Sequence, residues 1–355
     1  MQLTNSYKQV NYNQPLNQTK KIYYGLSILK FLLAFSVVCV HCFDKNSTNN
    51  KIILNLTRNR LFYVPCFFIM SFYFNCNNLL SRKRRLLLQR IIRLLIPYIL
   101  WPIIIWLINC YFNKKYIKQF PDSYEILKLQ LFFGHSYMSQ FWFQWNIIVI
   151  TILLYLIILI FCGQALFILQ LLLILSYISQ YNGYYYLYVY LKYPKYNRYT
   201  FSRIFEMIPY AVTGFTFGYF QIINLLEKNK IKAIILSTII YNTIIDYNIF
   251  RTIYGVTFCG ISLNIQSICI FFIFSSLPSF IFKNKNFKQL LTILTNYTGG
   301  VYYLHVSIRL YLNLYVKQIK KGTFFGIIII YFICYIICYF GMQLFKKTPF
   351  KYLFF

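Results

Sequence analysis

Acidic side chains are almost missing from this chain: 6 Asp and Glu stand against 36 Lys and Arg in 355 residues, for a formal net charge of +30. Ion-coupled carriers depend on buried carboxylates. Here only Glu206 and Asp246 fall near apolar segments, both read as lying at segment ends, which weighs against that class. Charge of either sign is scarce, at 12% of residues, half or less of the share in a soluble domain. No internal repeat of the kind carriers show is visible. No gap between apolar runs is long enough to house a soluble catalytic domain, so any chemistry belongs inside a helix bundle or at its mouths. The 10 cysteines fall mostly within apolar runs, where cysteine acts as a small hydrophobe, and no metal site is expected from them.

What is present is apolar: 59% hydrophobic and 22% aromatic residues, with a mean hydropathy of +0.54. The runs are continuous, whereas a transmembrane barrel shows short alternating segments. The fold class is therefore an all-α polytopic membrane protein with about ten transmembrane helices in one bundle. The candidate spans are 23–43, 61–79, 90–112, 142–161, 163–180, 204–222, 231–247, 256–281, 291–316 and 323–345. Residues 1–22 are polar and lack the layout of a signal peptide. They read as a cytoplasmic tail ahead of a transmembrane domain over 23–347, with a short C-terminal tail at 348–355.

The basic residues cluster between the runs, where they anchor helix ends and attract anionic lipid. The expected partner is thus the bilayer and not nucleic acid. "SRKRRLLLQRIIRLLIPY" places Arg82, Lys83, Arg84, Arg85, Arg90 and Arg93 between the second and third spans. By the positive-inside rule that loop, and both termini with it, are cytoplasmic. Loop 44–60 then faces outward, carrying glycosylation sequons at Asn46 and Asn55. A Cys42–Cys66 bridge near that face stays open.

Ionisable groups inside spans are functional candidates by default. In "LKFLLAFSVVCVHCF", Lys30 and His41 share one helix face about 16 Å apart. Either they snorkel to the two interfaces or they line a polar path. Asp44, one turn on, can orient the His41 imidazole or simply begin a solvated loop. Arg90 and Arg93, at i and i+3, form either a plain positive stop or a forked phosphate site. Trp142 and Trp145 read as interface anchors, and His135 as a solvated loop residue. "TNYTGGVYYLHVSIRLY" sets His305 and Arg309 on one face, beside a glycine pair that permits close helix approach.

These stretches, in this order, resemble the acyltransferase 3 family of integral membrane acyltransferases. Lys30 and His41 match that family's basic residue and histidine in its first helix. "VPCFFIMSFYF", with Ser71, resembles its Pro-aromatic-Ser motif, and "RRLLLQRIIRLLIPYILW" the basic segment after it. "FGHSYMSQFWF" and "GGVYYLH" are similar to its later signatures. The chain departs in carrying Lys30 where an Arg is common and Phe72 where a Gly follows the motif serine.

The resemblance implies transfer of an acyl group, usually acetyl, from acyl-CoA to a hydroxyl of a carbohydrate or lipid-linked acceptor. It implies His41 and Asp44 as catalytic residues, Lys30, Arg90 and Arg93 as donor-binding, and Ser71, His305 and Arg309 as substrate-binding. A saccharide or lipid flippase, or an inactive scaffold of the same fold, are the rival readings.

Overall fold

A chain in lipid has no water to satisfy its backbone, so every crossing segment must close its own hydrogen bonds. The computed structural model describes residues 23–42, 63–112, 141–178, 195–245, 261–312 and 323–354. Over these residues the elements are helical, with no strand. In chain order they are α1 (Tyr24–Cys42), α2 (Tyr63–Leu80), α3 (Arg84–Phe112), α4 (Trp142–Phe161), α5 (Ala165–Ile178) and α6 (Lys195–Tyr219). Then come the short α7 (Ile222–Leu226), α8 (Lys230–Ile245), α9 (Ile261–Ser275), α10 (Lys285–Asn296), α11 (Thr298–Leu312) and α12 (Phe324–Phe345).

Each of the ten apolar segments coincides in large part with a helix. Four stretches are long and apolar enough by length and composition to cross a membrane: Tyr24–Cys42, Arg84–Ile105, Trp142–Ile178 and Phe324–Phe345. The protein is an all-α integral membrane protein.

Helix α1 organises the bundle. It packs against α2, α9, α10, α11 and α12, burying Leu26, Leu29, Leu33 and Val37 at helical spacing. Another close approach lies between α2 and α6. Gly214 and Gly218, one turn apart in "GFTFG", let the α6 backbone meet α2 directly. A Cβ on Gly214 would stand 2.2 Å from the Ile69 carbonyl oxygen, and one on Gly218 2.5 Å from the Cys76 Cβ.

Helices α4 and α5 form a hairpin turned at Cys162, whose φ is 45°. Two hydrogen bonds fix the reversal. Gln170 donates to Thr216 near the end of α6, while Tyr177, two turns later, contacts Asn264 near the start of α9. Gln144 of α4 donates to the Leu94 carbonyl of α3, in the turn loosened by Pro97, which has no N–H to give.

Three boundaries differ from the sequence reading. The span expected over 291–316 is broken: α10 stops at Asn296, and α11 restarts at Thr298 beyond Tyr297. Asn284 caps α10 by accepting from the Asn286 and Phe287 N–H groups. Glu206, expected at a span end, lies inside α6 and is only 2% exposed. Residues 349–353, set apart in sequence as a tail, form a 3-10 turn that folds back onto α3 and α12. There the Trp101 indole N–H donates to the Leu353 carbonyl at 2.9 Å, and the Phe354 ring stacks on Phe345 at 5.8 Å. A Cβ at Gly341 would collide with that ring.

The tail 1–22, Asp44, Asn46, Asn55, His135 and Asp246 lie outside the described residues. Cys42 and Cys66 are free thiols, and Cys66 donates to the Ser267 carbonyl.

Candidate active site

Lys30 and His41 of helix α1 meet different neighbours. Lys30 is half-buried, and its ammonium donates to the Thr295 carbonyl at 2.9 Å. That carbonyl belongs to the last turn of α10, where helix carbonyls lack intrahelical partners and the dipole favours a cation. Thr298 donates to the same oxygen at 3.0 Å. Lys30 therefore ties the break between α10 and α11, with two of its three N–H donors left over.

Eleven residues on, His41 meets His305. The imidazole centroids stand 5.1 Å apart with planes inclined at 50°. His305 is fully buried. Its Nδ1 lies 3.2 Å from the Val301 carbonyl, and since a carbonyl only accepts, Nδ1 is the protonated nitrogen. Nε2 then carries a lone pair, and it is buried with no hydrogen-bond partner among the described residues.

Arg309, one turn after His305, donates from Nη1 to the His41 backbone carbonyl. A guanidinium on the terminal carbonyls of α1 is favourable for the same reason as Lys30 on α10. Around the pair, Tyr302 lies 6.1 Å from the His305 ring and 5.2 Å from Phe143. Arg203 sits 4.1 Å over the Trp142 ring, within electrostatic reach of Tyr302.

Arg90 occupies a separate niche between α2, α3 and α4. Its Nη2 donates to the Ser71 hydroxyl at 2.8 Å and its Nε to the Thr151 hydroxyl at 3.3 Å. The Phe72 ring lies 5.5 Å from the guanidinium carbon. Phe72 is fully buried, so the side chain that stands in the expected glycine position serves as a π-face for Arg90. These partners are neutral, so the niche leaves the guanidinium charge available to an incoming anion. Arg93 does not join it. That side chain is exposed and lies over Tyr352 of the C-terminal turn at 5.5 Å.

The sites expected from sequence are thus brought together in three groups: Lys30 with the α10–α11 break, His41 with His305 and Arg309, and Arg90 with Ser71. A family comparison bears on this arrangement: the acyltransferase domain matches residues 23–343, which takes in every one of these side chains. The chain belongs to the acyltransferase 3 family. As an acyltransferase 3 protein it holds these groups within the matched segment. No curated protein and no solved structure matches it.

Several residues at these acyltransferase sites were passed over in sequence. Arg203 and Glu206 are i and i+3 on α6, a spacing that was visible in advance. Cys39 and Cys42, which flank His41, form a C-x-x-C that the reading of cysteines as isolated hydrophobes overlooked; both are buried thiols. Thr151 offered no signal, being one hydroxyl in an apolar run. Trp142 and Trp145, expected as headgroup anchors, instead take Arg203 and Tyr98 as ring partners.

Proposed function

We propose that the protein transfers an acyl group, in the first instance acetyl, from acyl-CoA to a hydroxyl of a carbohydrate or lipid-linked acceptor. One observation carries this reading. A buried histidine with a neighbouring imidazole and a membrane-embedded arginine held by two neutral hydroxyls occur in the same bundle. The first suits proton transfer and the second an anionic donor.

In this reading His41 removes the proton from the acceptor hydroxyl as its oxygen attacks the thioester carbonyl. The C–O bond forms, the C–S bond breaks, and His41 returns the proton to the CoA thiolate. Arg90, shaped by Ser71, Thr151 and Phe72, holds an anionic part of the donor, while Arg93, outside that niche over Tyr352, meets the donor at the cytoplasmic mouth. Lys30 keeps α11 in register with α1 and has N–H donors to spare for the donor or for developing oxyanion charge. Both termini lie on the cytoplasmic side, where acyl-CoA is available, consistent with the basic run from Arg82 to Arg93. The acceptor approaches from the end of α1 that carries His41.

The test is release of free CoA from acetyl-CoA by purified protein in detergent, water standing in for the acceptor. Wild type should release CoA and His41→Ala should not. No release and no acyl-CoA binding by wild type would sink the reading.

A further inference from the structure

We propose that His305 is the positioning residue for His41: its Nε2 accepts a hydrogen bond from the His41 imidazole, fixing the tautomer in which the other His41 nitrogen is the base. The proposal rests on the acyl-transfer reading above and assigns a role within it.

The geometry begins with the tautomer. Because Nδ1 of His305 is committed to the Val301 carbonyl, Nε2 can only accept. Nε2 is buried and has no partner among the described residues. A buried acceptor left unmade costs about 1–3 kcal/mol. A side chain placed that way makes sense where one state of the site supplies the donor.

The nearest imidazole is that of His41. Two imidazoles joined by an N–H···N bond hold their centroids about 5 Å apart when the bond lies along the line between rings. The observed separation is 5.1 Å, with the planes inclined at 50°. The separation fits such a bond, and the movement it requires is a turn of the His41 ring toward Nε2 while His305 stays on the Val301 carbonyl.

Arg309 does not compete for this role, since its Nη1 is directed to the His41 carbonyl and not to the ring. Instead it holds the end of α1 against α11, which keeps both rings at that separation. About three turns earlier on α1, Lys30 is tied to the end of α10 through the Thr295 carbonyl, an oxygen it shares with Thr298 of α11. The arrangement follows the general logic of a base oriented by a third group, with an imidazole in the place usually filled by a carboxylate. That suits a chain with so few acids.

Through the reaction the proton count balances. His41 takes the hydroxyl proton on its free nitrogen and becomes imidazolium, while its other N–H stays on His305 Nε2. When the C–S bond breaks, the same proton passes to the thiolate. His305 gains and loses nothing; it aims the base and spreads the transient charge.

The experiment compares steady-state CoA release from acetyl-CoA by wild type, His41→Ala, His305→Phe, His305→Gln and Asp44→Asn, all purified in one detergent. Phenylalanine keeps a ring of similar size without the lone pair. Glutamine keeps both an N–H for Val301 and an acceptor oxygen. The expected result is a kcat lower by about 100-fold in His305→Phe, with KM for acetyl-CoA within about twofold of wild type and His305→Gln recovering at least tenfold of the loss. Wild-type kcat in His305→Phe would overturn the pairing. So would equal loss in both His305 variants, which marks a merely packed ring, or a loss confined to Asp44→Asn. If wild type matches His41→Ala at background release, the acyl-transfer reading itself has failed and the pairing goes with it.

Discussion

Replacing Gly214 by alanine should loosen the bundle where α2 and α6 cross in close contact. The added Cβ would stand 2.2 Å from the Ile69 carbonyl oxygen and 2.8 Å from the Ile69 Cα. Ordinary C···O contacts begin near about 3.3 Å, so α2 and α6 must separate by about 1 Å. The obstructing atoms are backbone, so no rotamer change relieves them. Overpacking of this kind costs about 1–3 kcal/mol.

The same shift reaches Ser71, which lies two residues beyond Ile69 and whose hydroxyl accepts from Arg90 at 2.8 Å. Lengthened by about 1 Å that bond is no longer a hydrogen bond. A lower thermal midpoint, read from tryptophan fluorescence in detergent, should therefore come with a several-fold higher KM for acyl-CoA. Gly163→Ala is the control, because a Cβ there meets nothing within 4 Å. It should be neutral or stabilising by up to about 1 kcal/mol. Melting of Gly214→Ala at the wild-type temperature would refute the close-packing argument.

Three further outcomes are expected. Arg90→Lys replaces a fork that bonds Ser71 and Thr151 together with a point charge, and should raise KM for acetyl-CoA by about tenfold while sparing kcat; CoA-release kinetics decide it. Lys30→Met removes the donor to the Thr295 carbonyl and should destabilise by about 1–3 kcal/mol, visible as a lower melting midpoint before any effect on donor affinity. Phe354→Ala deletes a ring packed against Trp101 and Phe345 and should cost about 3 kcal/mol, measured the same way.

Much of the fold was readable because lipid leaves the backbone so few options. Continuous apolar runs had to be helices, and their order placed Lys30, Ser71, Arg90 and His305 along the bundle before any coordinates. What escaped is pairing. Nothing in "TNYTGGVYYLH" says that the helix breaks at Tyr297 or that Lys30 ties the break, since that bond joins positions 265 apart. Arg90 and Arg93 look equivalent on a helical wheel, yet one is clasped by α2 and α4 and the other lies over Tyr352. Phe72 reads in sequence only as a departure from the expected glycine, whereas in the bundle it supports a guanidinium. The "GFTFG" spacing was legible and simply went unused.

The bond from Arg309 to His41 joins positions 268 apart, and this has a consequence for biosynthesis. Because the chain emerges from its first residue onward, α1 enters the membrane long before α11 exists. Until then its histidine and its lysine must be housed without the partners they finally adopt. Contacts so distant along the chain form slowly and late. Nascent chains released before Arg309 should hold most of the helices without the bond that fastens α11 to the end of α1. The turn at 349–353, where Leu353 and Phe354 lodge against Trp101, follows α11 and α12 along the chain, so it can seat against α3 only after that long-range pairing has become possible.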